Sequence, residues 1–277
     1  MRTLIIGDVV GRAGRHAVAE YLPCLIDDLT LDFVILNGEN ATHGFGLSPE
    51  HAHGFFEAGV DCIILGNHSF DRKEIIPMLD EDARIIRPIN YPKGTPGRGK
   101  TLLTGRNGHR VGVIQTLGRL FMNPDADNPF LAADTALEAW KDEPRDATFV
   151  DVHAEATSEK MAFGHYLDGR VTAVEGTHTH APTADTQILP GGTAFQTDLG
   201  MTGDYDSVIG MLKDSSIPRF TQVGSRGKFG PADGEATLCG LFVESNQNGL
   251  ATRAEPVRVG GRLQAFMPAP LVATDAP

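Results

Sequence analysis

The sequence predicts an α/β fold, on three observations. Short, continuous apolar runs recur without alternation, as strands covered on both faces do. Segments between them carry apolar residues at helical spacing. The first three runs then end on Gly or Asn-Gly followed by polar side chains. Ligands of open α/β sheets bind outside the carboxyl ends of the strands, so those polar ends are where chemistry is expected.

In chain order, Leu4-Ile5-Ile6 is a buried strand ending on Gly7-Asp8, and Val18, Leu22, Leu25 and Leu29 mark a helix running to about Leu29. Phe33-Val34-Ile35-Leu36 ends on Asn37-Gly38-Glu39-Asn40. A helix from about Pro49 to Ala58 leads to a third strand, Cys62-Ile63-Ile64-Leu65, ending on Gly66-Asn67-His68. Arg87 to Lys100 is rich in Pro and Gly and reads as an irregular excursion. Arg110 to Gln115 is strand-like, Asn123 to Pro129 a loop, and Leu131 to Trp140 a helix. Thr148 to Val152 is a strand ending on His153, and Ser158 to Leu167 a helix. Val174-Glu175-Gly176-Thr177-His178-Thr179-His180 reads as a strand that breaks at Gly176 and carries two histidines one residue apart. In extended backbone residues i and i+2 share a side, so His178 and His180 are expected to aim at one point. Beyond them the pattern is mainly β, with a helix near Tyr205 to Lys213. Ala236 to Glu244 and Thr252 to Val259 form a late hairpin, expected at an edge of a second sheet.

Strand and helix patterns alternate without a linker, so the 277 residues are read as one domain over 1–266, with a mobile tail over 267–277. A net charge of −12 argues against long nucleic acids held on a basic surface. A small anionic substrate stays open, because bound cations reverse the sign locally. Cys24, Cys62 and Cys239 are odd in number and scattered in apolar runs, as expected of buried reduced thiols in a cytoplasmic protein. No signal peptide is read at the start, and no apolar run reaches membrane-spanning length.

Five strand ends thus offer Asp8, Glu39 with Asn40, Asn67 with His68, His153, and His178 with His180. Each alone has a plainer role: Asp8 as a helix N-cap, Glu39-Asn40 as turn chemistry, His153 as a core histidine. Their joint occurrence is what points to a metal site. Oxygen and imidazole donors without sulfur suit Mn, Fe(II) or Zn. His68 apart, the remaining seven donors are too many for one ion and suit two, which at about 3.5–4 Å apart form the usual clamp on phosphorus. Glu39 is the candidate bridge.

Gly66-Asn67-His68 and Gly176-Thr177-His178-Thr179-His180 resemble signatures of the calcineurin-type metallophosphoesterases. Gly7-Asp8-Val9-Val10-Gly11, Asn37-Gly38-Glu39-Asn40-Ala41, Asp151-Val152-His153-Ala154-Glu155, Thr157-Ser158-Glu159-Lys160 and Thr197-Asp198-Leu199-Gly200-Met201 resemble, more closely, the YmdB-like branch, which contains 2′,3′-cyclic nucleotide 2′-phosphodiesterases. The resemblance spans Met1 to about Phe266. It implies a four-layer α/β/β/α sandwich of two mixed sheets flanked by helices. It further implies one ion on Asp8, Glu39, Asn40 and His180, and another on Glu39, Asn67, His153 and His178. Fe or Mn would be preferred over Zn, and a homo-oligomer is the implied state.

Three departures from the wider superfamily stand out. The histidine of its usual Asp-x-His motif is missing after Asp8, and the usual bridging Asp is Glu39. The Asp that often partners the Gly-Asn-His histidine falls at Thr42 here, leaving Asp71 as a local substitute for His68.

The implied reaction is attack of metal-bound hydroxide on phosphorus, with His68 protonating the departing ribose oxygen. The 2′ bond of a 2′,3′-cyclic nucleotide would break, leaving a 3′-nucleotide. A phosphomonoesterase and a non-catalytic metal- and nucleotide-binding regulator are the alternatives. A dinucleotide-binding site fits poorly, since Val9 replaces the middle glycine of its fingerprint. His43 and Phe45 are weaker candidates for base or ribose contact, and Arg12 and Arg119 for phosphate contact.

Overall fold

The computed structural model describes residues 1–221 and 229–269. Its elements run β1 (Arg2–Ile6), α1 (Gly11–Asp28), β2 (Phe33–Asn37), α2 (Pro49–Glu57), β3 (Cys62–Ile64), α3 (Ile76–Glu81), β4 (Ile85–Ile86), β5 (Lys100–Thr104), β6 (Arg110–Leu117), α4 (Pro129–Glu138), β7 (Ala147–His153) and α5 (Thr157–Leu167). There follow β8 (Ala173–Thr177), β9 (Gln187–Ile188), β10 (Ala194–Gln196), β11 (Gly203–Asp204), α6 (Lys213–Thr221), β12 (Ala236–Ser245) and β13 (Ala251–Val259).

The strands form two mixed sheets. In the first, β1 to β4 run parallel, and β12 joins β1 antiparallel. In the second, β6, β7, β8 and β10 run parallel, with β5 and β9 antiparallel at its edges. Three apolar clusters follow from this arrangement. Leu4, Leu36, Val18, Leu22 and Phe55 join the first sheet to α1 and α2. Ile5, Ile35, Ile64, Val113, Phe149 and Leu241 lie between the sheets. Ile114, Val150, Trp140 and Phe163 join the second sheet to α4 and α5. Odd and even residues of β1 therefore belong to different clusters, as the period of two requires. This explains the unbroken apolar runs in the sequence.

Several expectations are corrected. The late hairpin belongs to the first sheet, because β12 pairs with β1 in the register Ile5 with Leu241. The helix expected near Tyr205 to Lys213 begins only at Lys213. Ile209 and Gly210 both take positive φ, which breaks any helix before that point. The helix expected from Leu131 starts earlier, at Pro129, because Asn128 caps it by accepting from Phe130 N–H. β8 does not break at Gly176 but runs through it to Thr177. Glycine is needed there because a Cβ would collide with the Thr197 carbonyl. Cys24 is exposed, against the expected burial, while Cys62 and Cys239 are buried. Among the described residues no helix is long and apolar enough to cross a membrane. Residues 270–277, most of the expected tail, lie outside the described residues.

Candidate metal centre

All the strand-end side chains come from carboxyl ends of parallel strands: β1, β2 and β3 in one sheet, β7 and β8 in the other. The two sheets thus present their ends side by side, and the candidate residues meet across them.

Asp8 follows β1 and is completely buried. The N-cap of α1 is Val10, with no side-chain cap, so the plainer capping role for Asp8 is not what the chain uses. Its carbonyl accepts from Thr202 N–H at 2.8 Å, which ties the segment down. Its Oδ2 accepts from His178 N–H at 3.2 Å, and its Oδ1 is buried without a hydrogen-bond partner. Such an orphaned carboxylate oxygen is costly, and a cation is the natural complement.

Glu39 is also completely buried. Its Oε2 accepts from His68 N–H at 3.0 Å, and its Oε1 lies 3.0 Å from His153 Nε2. Asn67 Oδ1 stands 2.9 Å from the same His153 nitrogen, and His178 Nδ1 stands 3.2 Å from it. Glu39, His153 and His178 form a cluster able to hold a metal ion. Gly66 passes so close that a Cβ would overlap both Glu39 and His153, which is why the approach needs glycine.

Three imidazoles are oriented by partners on their outer sides. His180 Nδ1 is 2.8 Å from the Ile209 carbonyl, which only accepts, so Nδ1 is the donor there and Nε2 faces the site. His153 Nδ1 is 2.8 Å from Thr177 Oγ1, whose own proton goes to Asp151 Oδ1 at 2.7 Å. His153 Nε2 is therefore the inward-facing nitrogen. His178 Nε2 faces Glu155 Oε2 at 3.3 Å, leaving Nδ1 inward. This is the outer support that metal-ligating histidines ordinarily carry.

The electrostatics agree. Burial opposes charge on Glu39, yet the His153 imidazole and the His68 N–H outweigh it and hold the carboxyl below its usual range. Burial would lower His153, but Glu39 and Asp8 lift it to about 9. Burial and His153 together depress His178 to about 3. The cluster therefore attracts one positive charge strongly and rejects a second proton.

The expectation of a single aiming point for His178 and His180 is overturned. Their φ angles are +94° and +66°, so the backbone is not extended. His178 turns towards His153, and His180 towards Asn40 Nδ2 at 3.2 Å and Asp8 Oδ1 at 3.9 Å. Asn40 Nδ2 also donates to Glu39 Oε1 at 3.2 Å. The donors thus fall into two groups that share Glu39.

His68 stands beside them, its side chain 26% exposed and so reachable by a substrate. Asp71 Oδ2 lies 2.8 Å from its Nδ1, which makes Asp71 the local partner. Thr42, at the position of the missing acid, instead bonds His51 Nδ1 at 2.8 Å. Arg12 is away from the centre, paired with Asp233. Arg119 is anchored through its main-chain N–H to Glu159 Oε1 at 2.9 Å.

Sequence reasoning assigned no role to Lys160 or Asp198, although both stand in motifs it singled out. Lys160 is fully buried; its Nζ donates to the Thr177 carbonyl at 2.6 Å and to Asp198 Oδ2 at 2.8 Å. Asp198 Oδ2 also accepts from Thr179 N–H at 3.0 Å and Thr179 Oγ1 at 2.6 Å. The pair therefore clamps the turn that bears both histidines. Lys160 falls at helical spacing with the buried Phe163 and Leu167, and a lysine in an apolar stripe was the available signal.

Residues 4–257 match the family model described as YmdB-like protein. The 2′,3′-cyclic-nucleotide 2′-phosphodiesterase of Bacillus subtilis (strain 168) is 46% identical over 261 residues, covering 94% of this chain and 97% of that one. The crystal structure of a hypothetical protein from Thermus thermophilus superposes with a TM-score of 0.87 at 44% identity, covering 95% of this chain and 100% of that one. That of a novel phosphatase from Mycoplasma pneumoniae superposes at 0.86 with 36% identity, covering 94% and 93% of the two chains.

Proposed function

The chain belongs to the YmdB-like family, and from that premise we propose that it hydrolyses small cyclic phosphodiesters, 2′,3′-cyclic nucleotides foremost, to 3′-nucleotides. The kinship makes it a phosphoric ester hydrolase; the particular ester is our reading. The observation that carries it is the meeting of inward-facing imidazole nitrogens and carboxylate oxygens around Glu39, with the orphaned Asp8 Oδ1 beside them. We read Asp8, Glu39, Asn40 and His180 as holding one divalent ion, and Glu39, Asn67, His153 and His178 as holding a second. A half-turn of the Asn40 amide brings its Oδ1 to the place of Nδ2. Fe or Mn suits this sulfur-free donor set, with Zn behind them.

When bound, the ions supply a nucleophilic hydroxide at neutral pH and neutralise charge on the phosphate. The chain's own part is positional and protonic. Glu39, fixed by His68 N–H, keeps the two donor groups in register. His68 stands free of both groups and, oriented by Asp71, gives a proton to the departing ribose oxygen. We read the three apolar clusters as the contacts of a four-layer helix–sheet–sheet–helix stack, and the protein as cytoplasmic and homo-oligomeric.

The test is turnover of 2′,3′-cyclic AMP with added Mn²⁺, with product identified by chromatography. 3′-AMP is expected, and His68→Ala should lose about 10²–10⁴-fold in rate while retaining metal. Release of 2′-AMP, or undiminished turnover by His68→Ala, would overturn the assignment. The relative from Mycoplasma pneumoniae described as a phosphatase makes phosphomonoesters the second class to screen.

A further inference from the structure

Phe45 has no part in the donor groups, yet its ring meets the proposed proton donor directly. The rings of Phe45 and His68 lie edge to face, centroids 5.0 Å apart and planes at 67°. Phe45 also stacks on Phe229 at 6.0 Å and 26°. The guanidinium of Arg219 lies over Phe229, 3.9 Å from its centroid. Arg219, Phe229, Phe45 and His68 therefore form an unbroken chain of contacts that ends at His68.

The Phe45 end of this chain of contacts is held in place. Arg72, next to Asp71, donates from Nε to the Phe45 carbonyl at 3.1 Å and from Nη2 to the Thr42 carbonyl at 3.1 Å. Thr42 Oγ1 in turn accepts from Ser48 N–H at 2.9 Å. Arg72 so links the Phe45 loop to the segment carrying His68 and Asp71. Phe45 is half-buried, so part of its surface stays open. Apolar side chains that serve only packing gain from full burial. A ring kept partly open at a polar catalytic mouth, with its main chain tied down, is shaped to receive something flat.

We propose that Phe45, backed by Phe229, is the nucleobase-stacking surface of this centre. The inference rests on the nucleotide phosphodiesterase reading, because His68 then adjoins the ribose and the base is the flat group the ribose carries. Stacking uses the π-face that every base has, so purines and pyrimidines are both accepted, purines somewhat better. Arg219 extends the flat surface outward and places a cation on a chain of net charge −12.

The experiment compares 2′,3′-cyclic AMP with methyl riboside 2′,3′-cyclic phosphate, which lacks the base, on wild type, Phe45→Ala and Phe45→Trp. Base stacking is worth about 5- to 150-fold by alanine substitution. Phe45→Ala should therefore raise KM for cyclic AMP by that factor with kcat little changed. It should leave the base-free substrate unaffected, and Phe45→Trp should restore the wild-type KM. Equal losses on both substrates, carried by kcat, would mean that Phe45 only props His68 and would overturn the proposal, as would no change on either.

Binding of 3′-AMP and ribose 3-phosphate to the Mn²⁺-loaded proteins, followed by calorimetry, separates the two readings. If wild type hydrolyses neither diester, the activity reading fails. The stacking surface then still stands if Phe45→Ala weakens 3′-AMP alone, and falls if both ligands bind wild type equally.

Discussion

The two donor groups that share Glu39 are built differently. The group of Glu39, Asn67, His153 and His178 is tight, with Asn67, Glu39 and His178 each placing one atom 2.9–3.2 Å from His153 Nε2, and it is backed by a buried row of polar side chains. Gln115, Asp151 and Glu175 lie in register on neighbouring strands of the second sheet and form that row. The group of Asp8, Asn40 and His180 is looser, with Asp8 Oδ1 unpartnered and 3.9 Å from His180 Nε2. Its histidine leans on a loop carbonyl, Ile209, rather than on a strand. His153, the centre of the tight group, is itself a strand residue, whereas Asp8, Asn40 and His180 all lie beyond their strands. The tight group should therefore bind its ion more strongly.

Glu39→Gln breaks the comparison outright, since the proposed centre has both groups use that carboxylate. Elemental analysis should find no bound metal and turnover at background. The apoprotein should also lose up to about 3–5 kcal/mol in denaturant melts, because the buried His153 loses its charged partner while keeping Asn67 and Thr177. His153→Asn and His180→Asn come next. The first should remove the tight ion and activity together, whereas the second should leave close to one Mn²⁺ per chain by calorimetric titration. Equal stoichiometry in the two variants would erase the distinction.

Lys160→Met asks whether the two halves share a scaffold, because the Lys160–Asp198 clamp holds the turn bearing both histidines. Mn²⁺ affinity should fall about 10–100-fold at both positions. Glu159→Gln, one residue away, anchors only the Arg119–Leu120 loop and should leave metal binding intact.

The sheet beneath the tight half can be probed by pH. Both Glu175 oxygens are buried without partners, and burial, with Asp151 nearby, raises its carboxyl well above the usual range. Folding thus retains a proton that the unfolded chain gives up, and stability falls as pH rises from the unfolded value near 4.5 towards the folded one. Glu175→Gln lacks that slope, so its Tm relative to wild type should increase between about pH 5 and pH 8. A constant difference would mean that Glu175 titrates normally. Smallest of all, Asp71→Asn should slow turnover only severalfold, since exposed pairs contribute about 0.2–1 kcal/mol and Asp71 is 44% exposed.

The parallel strands and the residues at their ends were legible because burial on both faces writes an unbroken apolar run, and a polar end interrupts it sharply. Leu4 to Asp8, Phe33 to Asn40 and Cys62 to His68 all show this. What the sequence hid is mostly non-local. Whether β12 lies beside β1 or in the other sheet is decided by packing, which leaves no local pattern. Strands of two residues such as β4, β9 and β11 are too short to show a period. The positive φ of His178 and His180 carries no compositional mark, since glycine usually signals that conformation. Their divergence, the feature that creates two donor groups, was for that reason read as convergence. Lys160 and Asp198 are 38 residues apart and meet only in the folded chain.

The most direct test is an anomalous-scattering map from crystals soaked in Mn²⁺. Two peaks are expected, one on each side of the Glu39 carboxylate, with the stronger beside His153 and His178 and the weaker beside Asp8 and His180. A lone peak away from Glu39, or none at saturating Mn²⁺, would contradict the shared-glutamate centre.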